Sequence, residues 1–565
     1  MSTIVVELRD SRRLTGPNLL ADAPGAVIDG TVSGCPVDAM EVAWSARATE
    51  ALNAVGWTDS TLAVRRYDGG LSVYFSAPAD VLYAATEVNE WAWAAAASDV
   101  GASGDTPSLS DVLPSLNQSI ADERDPALLA LAAEARRRGL SFRADDEFAA
   151  VGSGRGNLSW AADALPAPED VEWDDVFDIP TVIVTGTNGK TTTVRMASSI
   201  AKAAGYTVGF TCTDGIYVGD ELLDGGDWSG PGGARAVLRD RRVEVAILET
   251  ARGGMLRRGL GVDRADAAIV TNVAADHLGE WGILSVADVA TAKLVVAKAV
   301  RHGAPLIANA DDPYVSSAAQ ALRPDVTWVA VDAADELGRA GGSAAWVWVD
   351  GWLVRRSDAG DVRLVDAASV PATMGGAAVY NISNALGAAA LAWAIGIGDE
   401  GIRRGLVAFD PNPEQSPGRG NLFEVAGATV LVDFVHNAHG FDAIGRTIEA
   451  MTPSRVALMI GQAGDRDDAS IRDFVRAAWG LQPDRVAIKR MPGYERGRDS
   501  GEVASMIEAE MSALGAEPGS VSVHEDEVAA AEALLNWAEP DDVVLLSTQA
   551  DRDGVLELVR ARADQ

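Results

Sequence analysis

The chain has 565 residues, of which 48% are apolar and 23% charged, and its formal net charge is −35 at pH 7. This composition is typical of a soluble globular protein with roughly three domains. Because nucleic acids and anionic membranes require an excess of Lys and Arg, so acidic a surface excludes both as expected partners.

Cysteine content and hydropathy narrow the expected class of protein further. Cys35 and Cys212 are the two cysteines, too few for a disulfide framework or a four-thiolate zinc site. No apolar run has the length of a membrane span, and the first residues lack the basic-then-apolar layout of a signal peptide. We therefore expect a cytoplasmic protein.

Residues 1–163 predict a small α+β domain. The candidate elements are two strands, Leu62–Arg66 and Leu71–Phe75, and two helices, Ala79–Ala97 and Asp125–Gly139. Residues 164–178 are rich in proline and acidic side chains, a composition that predicts a linker.

Two α/β domains are predicted downstream, at residues 179–408 and 409–565, because β-branched runs alternate there with helical stretches. The candidate strands of the first are Thr181–Thr185, Thr207–Thr211, Val243–Leu248, Ala267–Thr271 and Leu306–Asn309. Those of the second are Thr429–Asp433, Arg455–Ile460, Arg485–Ile488 and Asp542–Ser547. The fold class is therefore α/β with mainly parallel sheets, the second domain being smaller and Rossmann-like.

A glycine-rich loop between the first of these strands and a predicted helix carries the clearest chemical signal. The loop residues are Gly186, Thr187, Asn188, Gly189, Lys190, Thr191 and Thr192. In this context glycines let backbone N–H groups wrap a phosphate at the helix N-terminus, Lys190 can reach the terminal phosphates, and the Thr191 hydroxyl can bind Mg²⁺. Val184 stands where the ordinary P-loop has its first glycine, which argues against a GTPase or motor ATPase.

Three further residues follow or flank strands of the same sheet. Glu249 ends one strand, His277 follows the next, and Lys293 lies in a predicted helix. Ligands of open α/β sheets collect at the carboxyl ends of the strands. Glu249 and His277 are therefore candidate ligands of a metal ion, although a capping carboxylate and a turn histidine are the alternatives for each residue alone.

The segment from Thr185 to Thr193, Thr-Gly-Thr-Asn-Gly-Lys-Thr-Thr-Thr, resembles the signature of the Mur ligase family, and other motifs resemble the cyanophycin synthetases among them. These motifs are Thr213-Asp-Gly-Ile-Tyr-Val-Gly-Asp, Glu249-Thr-Ala-Arg-Gly-Gly, Asn272-Val-Ala-Ala-Asp-His, Asn309-Ala-Asp-Asp-Pro, Tyr380-Asn-Ile-Ser-Asn, Glu414-Gln-Ser-Pro-Gly-Arg and Asp433-Phe-Val-His-Asn. They span residues 181–565, and the N-terminal domain resembles the first domain of the same enzymes. No segment between the two has room for their ATP-grasp domain.

The resemblance implies a central ATPase domain, a C-terminal domain that closes over it, and ATP and Mg²⁺ as ligands. It assigns Thr191, Glu249 and His277 to metal ions, and it aligns Lys293 with a lysine that many Mur ligases carbamylate. Nucleotide contacts are implied for Asn381, Asn384, Arg419 and Asp433. Substrate contacts are implied for Arg252, His436, Asp465, Arg466 and Arg496, with Lys489 and Arg498 as looser matches.

The resemblance therefore predicts an ATP-dependent amide-bond ligase that works through an acyl phosphate and forms ADP and phosphate. A small-molecule amino acid, in particular a cationic one, would supply the amine, and an acidic acceptor the carboxylate. A polyglutamate-type ligase and a non-catalytic ATP-binding partner of a synthetase remain as alternatives. A homo-oligomer is possible on the same grounds.

Overall fold

The computed structural model of the chain describes residues 3–102, 104–333 and 344–564. Within these residues no helix combines the length and the apolar character needed to cross a membrane. Strands of the described segments form four sheets, two of them mainly parallel and covered by helices on both faces. The α/β fold class predicted from the alternating pattern is confirmed.

The N-terminal elements form an antiparallel sheet covered by helices. They are β1 (Val5–Leu14), β2 (Gly25–Ser33), α1 (Val37–Ala54), β3 (Leu62–Tyr67), β4 (Gly70–Ser76), α2 (Leu82–Asp99) and α3 (Leu109–Glu123). The strand order is β1-β2-β4-β3, and Trp44 and Phe75 are fully buried in its core. The predicted pair of strands and the predicted helix Ala79–Ala97 are confirmed with shifted ends. We call β1–β4 the N-terminal sheet.

A second small sheet follows, with elements α4 (Pro126–Arg137), β5 (Phe142–Ala144), β6 (Phe148–Val151) and β7 (Leu158–Ala161). The segment predicted as a linker contains two 3-10 turns, Pro168–Asp170 and Trp173–Asp175. Val171, Trp173 and Val176 of this segment are buried beside Leu131 of α4. The connection is therefore packed along a small apolar cluster.

Within the described residues the central sheet has eleven strands, in the order β11-β10-β9-β12-β8-β13-β14-β15-β16-β17-β18. They are β8 (Thr181–Thr185), β9 (Val208–Cys212), β10 (Gly215–Val218), β11 (Glu221–Gly225), β12 (Val245–Glu249), β13 (Ala267–Val270), β14 (Leu306–Asn309), β15 (Val326–Ala330), β16 (Ala345–Val349), β17 (Trp352–Ser357) and β18 (Gly360–Asp366). In this spatial order, neighbouring strands between β9 and β16 pair in parallel. Antiparallel strands extend both edges, β10 and β11 beside β9, and β17 and β18 beside β16. The five predicted strands are confirmed to within two residues.

Helices cover both faces of the central sheet. One face packs against α5 (Lys190–Ala203), α10 (Val379–Ala394) and α11 (Asp399–Ala408). The other packs against α6 (Pro231–Arg239), α7 (Arg252–Arg258), α8 (Val286–Lys293) and α9 (Pro313–Leu322). Burial on both faces explains why these strands are continuous apolar runs instead of alternating ones.

The C-terminal sheet has six strands in the order β19-β20-β24-β21-β22-β23, parallel except for the hairpin β19-β20. The strands are β19 (Arg419–Val425), β20 (Ala428–Asp433), β21 (Val456–Ile460), β22 (Arg485–Lys489), β23 (Val521–His524) and β24 (Val543–Ser547). The helices are α12 (Ala438–Ala450), α13 (Asp468–Gly480), α14 (Glu502–Ala513), α15 (Glu527–Trp537) and α16 (Arg552–Ala563). This arrangement agrees with the predicted second α/β set.

Candidate functional site

The glycine-rich loop from Gly186 to Thr192, which we call the phosphate loop, joins β8 to the N-terminus of α5, as predicted. Gly186 and Gly189 have φ of 153° and 81°, in the region that favours glycine. A Cβ on Gly186 would lie 1.8 Å from Thr271 Oγ1, and one on Gly189 would lie 2.3 Å from Asn384 Oδ1. Both glycines are therefore required by close approach as well as by backbone conformation, and the loop leaves the first N–H groups of α5 free for an anion.

Neighbouring strands hold the loop in this shape. The Asn188 backbone N–H donates to Asn272 Oδ1 at 2.9 Å, and Thr271 Oγ1 donates to the Asn188 carbonyl at 2.7 Å. Lys190 Nζ donates to the Thr187 carbonyl at 3.0 Å, so its ammonium group lies over the loop. Such a cation can move a short distance to meet phosphate oxygens.

Glu249 lies directly below the first turn of α5. The residue is 1% exposed, and its carboxylate accepts hydrogen bonds from Thr191 Oγ1 at 2.7 Å and Thr213 Oγ1 at 3.2 Å. A carboxylate and a hydroxyl are oxygen donors suited to Mg²⁺, which normally takes its other ligands from water and phosphate. The described residues hold no cluster of three or more His, Cys, Asp or Glu side chains suited to a metal ion. Thr191 and Glu249 alone are two oxygen donors, which fits a cation held jointly with a nucleotide.

Lys293 reaches the phosphate loop from α8. Its side chain is buried, and Nζ donates to the Gly186 carbonyl at 2.7 Å. Burial, together with the positive charge of Lys190, holds the pKa of Lys293 well below its usual value. An uncharged amine can react as a nucleophile, which is the property that carbamylation requires.

His277 lies on the loop after β13, with a left-handed φ of 50°. Arg252 Nη2 donates to the His277 carbonyl at 2.6 Å and to Glu280 Oε2 at 3.1 Å. The imidazole is 37% exposed, and its Nδ1 is 3.9 Å from Glu280 Oε1. His277 and Glu249 line the same cavity, and their joint metal binding stays a prediction.

The two asparagines of α10 have different positions. Asn384 lines the cavity beside Gly189, whereas Asn381 is buried behind it. Asn381 accepts a hydrogen bond from Asn384 Nδ2 at 3.0 Å and donates to the Ala372 carbonyl at 2.8 Å. Asn381 is not among the described residues that line the cavity, and its nucleotide contact stays a prediction. The preceding residue, Tyr380, does line the cavity.

Arg419 and Asp433 face the cavity from the hairpin β19-β20. Arg419 Nε lies 3.6 Å from Asp214 Oδ2, and Arg552 Nη1 donates to Asp214 Oδ1 at 2.6 Å. Burial raises the pKa of Asp433 to about 6, and the charge of Arg419 opposes the shift. Sequence reasoning missed Asp214 and Arg552, although Asp214 belongs to the Thr213 motif.

Two arginines among the predicted substrate-side residues pair with carboxylates, one of them across to the central part of the chain. Arg466 Nη1 donates to Asp276 Oδ1 at 2.7 Å, and Arg496 Nη1 donates to Asp465 Oδ2 at 2.7 Å. Burial opposes ionisation of Asp276, yet the surrounding histidine and arginine side chains bring its pKa to about 2. Burial lowers the pKa of His436 to about 4, so the imidazole is neutral near pH 7. Asp276 directly precedes His277 and was not singled out from the sequence.

Two looser predictions, Lys489 and Arg498, lie away from the cavity. Lys489 is fully buried and donates to Glu527, to the Ser547 carbonyl and to Gln549, so all three of its N–H groups are used inside the C-terminal core. Arg498 pairs with acidic side chains on α13 and α14. Neither residue is among the described residues that line the cavity.

The loops after β8, β12, β13 and β14 and those after β20 and β21 enclose a cavity of about 840 Å³. This volume lies in the upper part of the range for ligand sites and can hold a nucleotide with a second substrate. Its lining combines a phosphate loop, a carboxylate–hydroxyl pair and groups of both charges. The fold and this site define a nucleotide-binding α/β protein.

Comparison with known families agrees with this class. The Mur ligase middle domain matches residues 184–392, and the Mur ligase glutamate ligase domain matches residues 418–549. The two domains together cover more than half of the chain, which belongs to the Mur ligase family.

Individual proteins extend the comparison. The chain is 39% identical to cyanophycin synthetase of Crocosphaera subtropica over 58% of this chain and 38% of that protein. It is 37% identical to cyanophycin synthetase of Synechocystis sp. over 68% of this chain and 44% of that protein, so it spans about two fifths of these relatives. Folylpolyglutamate synthase/dihydrofolate synthase of Yersinia pestis, complexed with AMPPNP and Mn ion, superposes with a TM-score of 0.50 at 20% identity, covering 68% of this chain and 88% of that one. The last comparison supports the fold.

Proposed function

We propose that the protein is an ATP-dependent ligase that joins the amine of a cationic amino acid to a carboxylate of an acidic acceptor. The observation that carries the proposal is one cavity lined by the phosphate loop, by Glu249 and by side chains of both the central and C-terminal sheets. The chain matches the two Mur ligase domains, and it is 39% identical to a cyanophycin synthetase over 58% of its length.

The proposed reaction has two steps. An oxygen of the acceptor carboxylate attacks the γ-phosphorus of ATP, the bond to the bridging oxygen breaks, and ADP leaves. The amine then attacks the acyl carbon, phosphate leaves, and the amine proton passes to solvent or to a base. Lys190 and the N–H groups of the loop stabilise the charge that develops on the phosphoryl oxygens.

The oxygen donors beneath the loop support Mg²⁺ as the accompanying ion. Thr191 and Glu249 would hold it, and it would supply charge neutralisation on the phosphates. The Yersinia pestis relative, with AMPPNP and Mn ion in its complex, supports a nucleotide–metal pair in this fold. We expect Glu249→Gln to raise the Mg²⁺ concentration needed for half-maximal activity by roughly tenfold, as lost second-shell or ligand contacts do. An unchanged Mg²⁺ dependence would contradict this assignment.

The burial of Lys293 and the lowering of its pKa support its carbamylation by CO₂, which would convert the amine into a carbamate with a negative charge at the loop. We expect Lys293→Ala to be inactive and to recover partly with added short-chain carboxylates. Lys298→Ala is the control because Lys298 pairs with Asp22 in the N-terminal part. Full activity of Lys293→Ala without added carboxylate would remove the proposal.

Acidic groups around the substrate side support a cationic amine. Asp276 and Asp465 line the cavity with Asp227 and Asp442. Arg466 and Arg496 pair with two of these carboxylates, so part of the negative charge is already compensated. Specificity for the amine must then come from the groups that a wrong amine would leave unpaired.

A polyglutamate-type ligase is the second candidate, because the C-terminal match is to a glutamate ligase domain. The same ATP site would serve both reactions. Phosphate release from purified protein with ATP and Mg²⁺, screened against panels of amino acids and acidic acceptors, separates them. We expect turnover with arginine or lysine plus an aspartate-containing acceptor; turnover with glutamate instead would favour the second candidate, and no amine-dependent turnover would refute both.

A further inference from the structure

The loop from His277 to Ile283 is held from outside the central sheet by Arg65 on β3. Arg65 Nη1 donates to the Gly282 carbonyl at 2.9 Å, and Nη2 donates to the Trp281 carbonyl. Charged donors to backbone carbonyls make stronger hydrogen bonds than neutral ones. The N-terminal sheet therefore fixes two consecutive peptide groups of a loop that belongs to the central part of the chain.

A second set of contacts reaches the same region through β1. The indole N–H of Trp281 donates to Asp10 Oδ2 at 3.1 Å. Arg12 Nε donates to the Leu256 carbonyl of α7 at 2.9 Å, while its Nη1 pairs with Asp10 and with the buried Asp29. Because the Arg12–Asp29 pair is buried, removal of Arg12 would leave the Asp29 carboxylate without its cationic partner. The pair thus fixes the direction from which Arg12 meets α7.

The two surfaces also fit closely at a glycine. Gly282 has a φ of 65°, and a Cβ there would lie 2.3 Å from the ring of Tyr67 on β3. The aromatic ring cannot retreat without moving the strand, since Tyr67 donates to the Gly30 carbonyl at 2.9 Å. The loop and the N-terminal sheet are therefore matched in shape as well as in hydrogen bonding.

The held segments form one wall of the cavity. Arg252 and Arg257 of α7 and His277, Glu280 and Trp281 of the loop line it. His277 and Trp281 have φ of 50° and 48°, a conformation that side-chain-bearing residues keep only when their surroundings enforce it. The contacts from Arg65, Asp10 and Tyr67 are such surroundings for Trp281. We call these five lining residues the acceptor wall.

We propose that the N-terminal sheet is a positioning element of the ligase site, and that Arg65 holds the acceptor wall in the shape that receives the acidic acceptor. The inference rests on the proposed function for the identity of that substrate. Arg65 itself contacts neither the phosphate loop nor the cavity-lining side chains of the C-terminal sheet in the described structure. It acts through the backbone of Trp281 and Gly282.

The primary test is amide hydrogen exchange of the full chain carrying Arg65→Met. We expect exchange in the peptide 277–284, which contains the Gly279 and Ile283 amides, to accelerate by roughly tenfold or more because two charge-assisted hydrogen bonds are lost. Exchange in peptide 181–193 and the affinity for AMPPNP with Mn²⁺ should change less than twofold. Arg66→Met is the matched control, since Arg66 lies next along β3 and pairs with Asp38 and Glu41 away from the loop.

A second pair of variants tests the same contact from the loop side. Gly282→Ala places a methyl group against Tyr67, whereas Gly279→Ala has the same kind of left-handed backbone but no atom within 4 Å of its Cβ. We expect faster exchange of 277–284 and altered exchange of β3 in Gly282→Ala, with β3 unaffected in Gly279→Ala. Equal behaviour of the two glycine variants at β3 would overturn the shape-matching part of the inference.

The kinetic test compares the change in KM for the acceptor with the change in KM for ATP. With an acceptor found by the phosphate-release screen, Arg65→Met should raise the KM for that acceptor by tenfold or more while the KM for ATP stays within twofold. An equal loss for both substrates, or unchanged exchange in 277–284, would overturn the proposal. The exchange and AMPPNP measurements need no turnover, so failure of the proposed function and failure of this inference give different results.

Discussion

Lys190 is the residue whose charge the proposed chemistry uses most directly. Its ammonium group lies over the phosphate loop, 3.0 Å from the Thr187 carbonyl. We expect Lys190→Ala to remain folded and to lose roughly 10²–10⁴-fold in ATP turnover, since a cation at the transferred phosphoryl group contributes several kcal/mol at about 1.4 kcal/mol per decade.

The matched control is Lys202→Ala on the same helix, where the ammonium group pairs with exposed Asp220. An exposed pair of this kind contributes little to stability, so near-normal turnover is expected. Phosphate release measured for both variants decides the assignment. Comparable turnover of the two variants would show that Lys190 has no special role.

The lowered pKa of His436 predicts that the unfolding free energy of the protein depends on pH. Burial lowers its folded-state pKa from 6.5 to about 4, so between these values the unfolded chain binds a proton that the folded chain does not. Stability from this group is therefore present above about pH 6.5 and is lost as the pH falls toward 4. Relative to His436→Gln, the wild type should lose up to about 3 kcal/mol of unfolding free energy over that range. Parallel pH profiles of the two proteins in denaturant titrations would contradict the prediction.

At the scale of elements, the turn from β8 into α5 depends on Gly189. Its φ of 81° and the 2.3 Å approach to Asn384 leave no room for a side chain. We expect Gly189→Ala to weaken nucleotide binding by tenfold or more, measured by calorimetry with AMPPNP and Mn²⁺. Gly205→Ala, beyond the other end of α5 with φ of 95° and open space, should cost only about 1 kcal/mol of stability. Equal nucleotide affinities in both variants would argue against this role of the loop.

The sequence predicted the elements of the two α/β parts because buried parallel strands have a strong local signal. Apolar β-branched runs placed β8 and β14 with their observed ends, and the glycine pattern placed the phosphate loop. The first two strands of the N-terminal sheet were not predicted. β1 carries alternating charged residues with little apolar content, and β2, although buried, has glycine, aspartate and threonine among its apolar residues. Local pattern thus succeeds where a strand is continuously apolar or where a turn marks a hairpin, as between β3 and β4.

The candidate site was predictable where a motif carries it and not where tertiary contacts do. Glu249 was identified because it ends a strand beside the phosphate loop, and it bonds Thr191 there. Asp276 and Arg466 are 190 residues apart and meet only in the folded chain. The surroundings of Lys489 likewise depend on tertiary contacts that the sequence does not show. Its ammonium group pairs with the buried Glu527 in the core of the C-terminal part.

For the molecule as a whole, the cavity exists because the C-terminal part closes against the central sheet. Arg466 pairs with Asp276 at 2.7 Å and Arg552 with Asp214 at 2.6 Å, and the side chain of Asn188 exchanges hydrogen bonds with Asn437. These contacts tie the loop after β13, the turn after β9 and the phosphate loop to the same closing surface. Closure of this kind shields an acyl phosphate from water.

This arrangement predicts that loosening one contact uncouples hydrolysis from ligation. Arg466→Met keeps the length and apolar stem of the side chain but leaves Asp276, which is 19% exposed, without its cationic partner. Water should then reach the acyl phosphate more often, so phosphate released per amide formed should rise from near one by several-fold, while the affinity for AMPPNP changes little. Arg472→Met on α13 is the control, because Arg472 is 45% exposed and pairs only within the C-terminal part. Mass spectrometry of the product with phosphate counted in the same sample measures the ratio, and a ratio that stays near one in Arg466→Met would mean that this pair does not guard the intermediate.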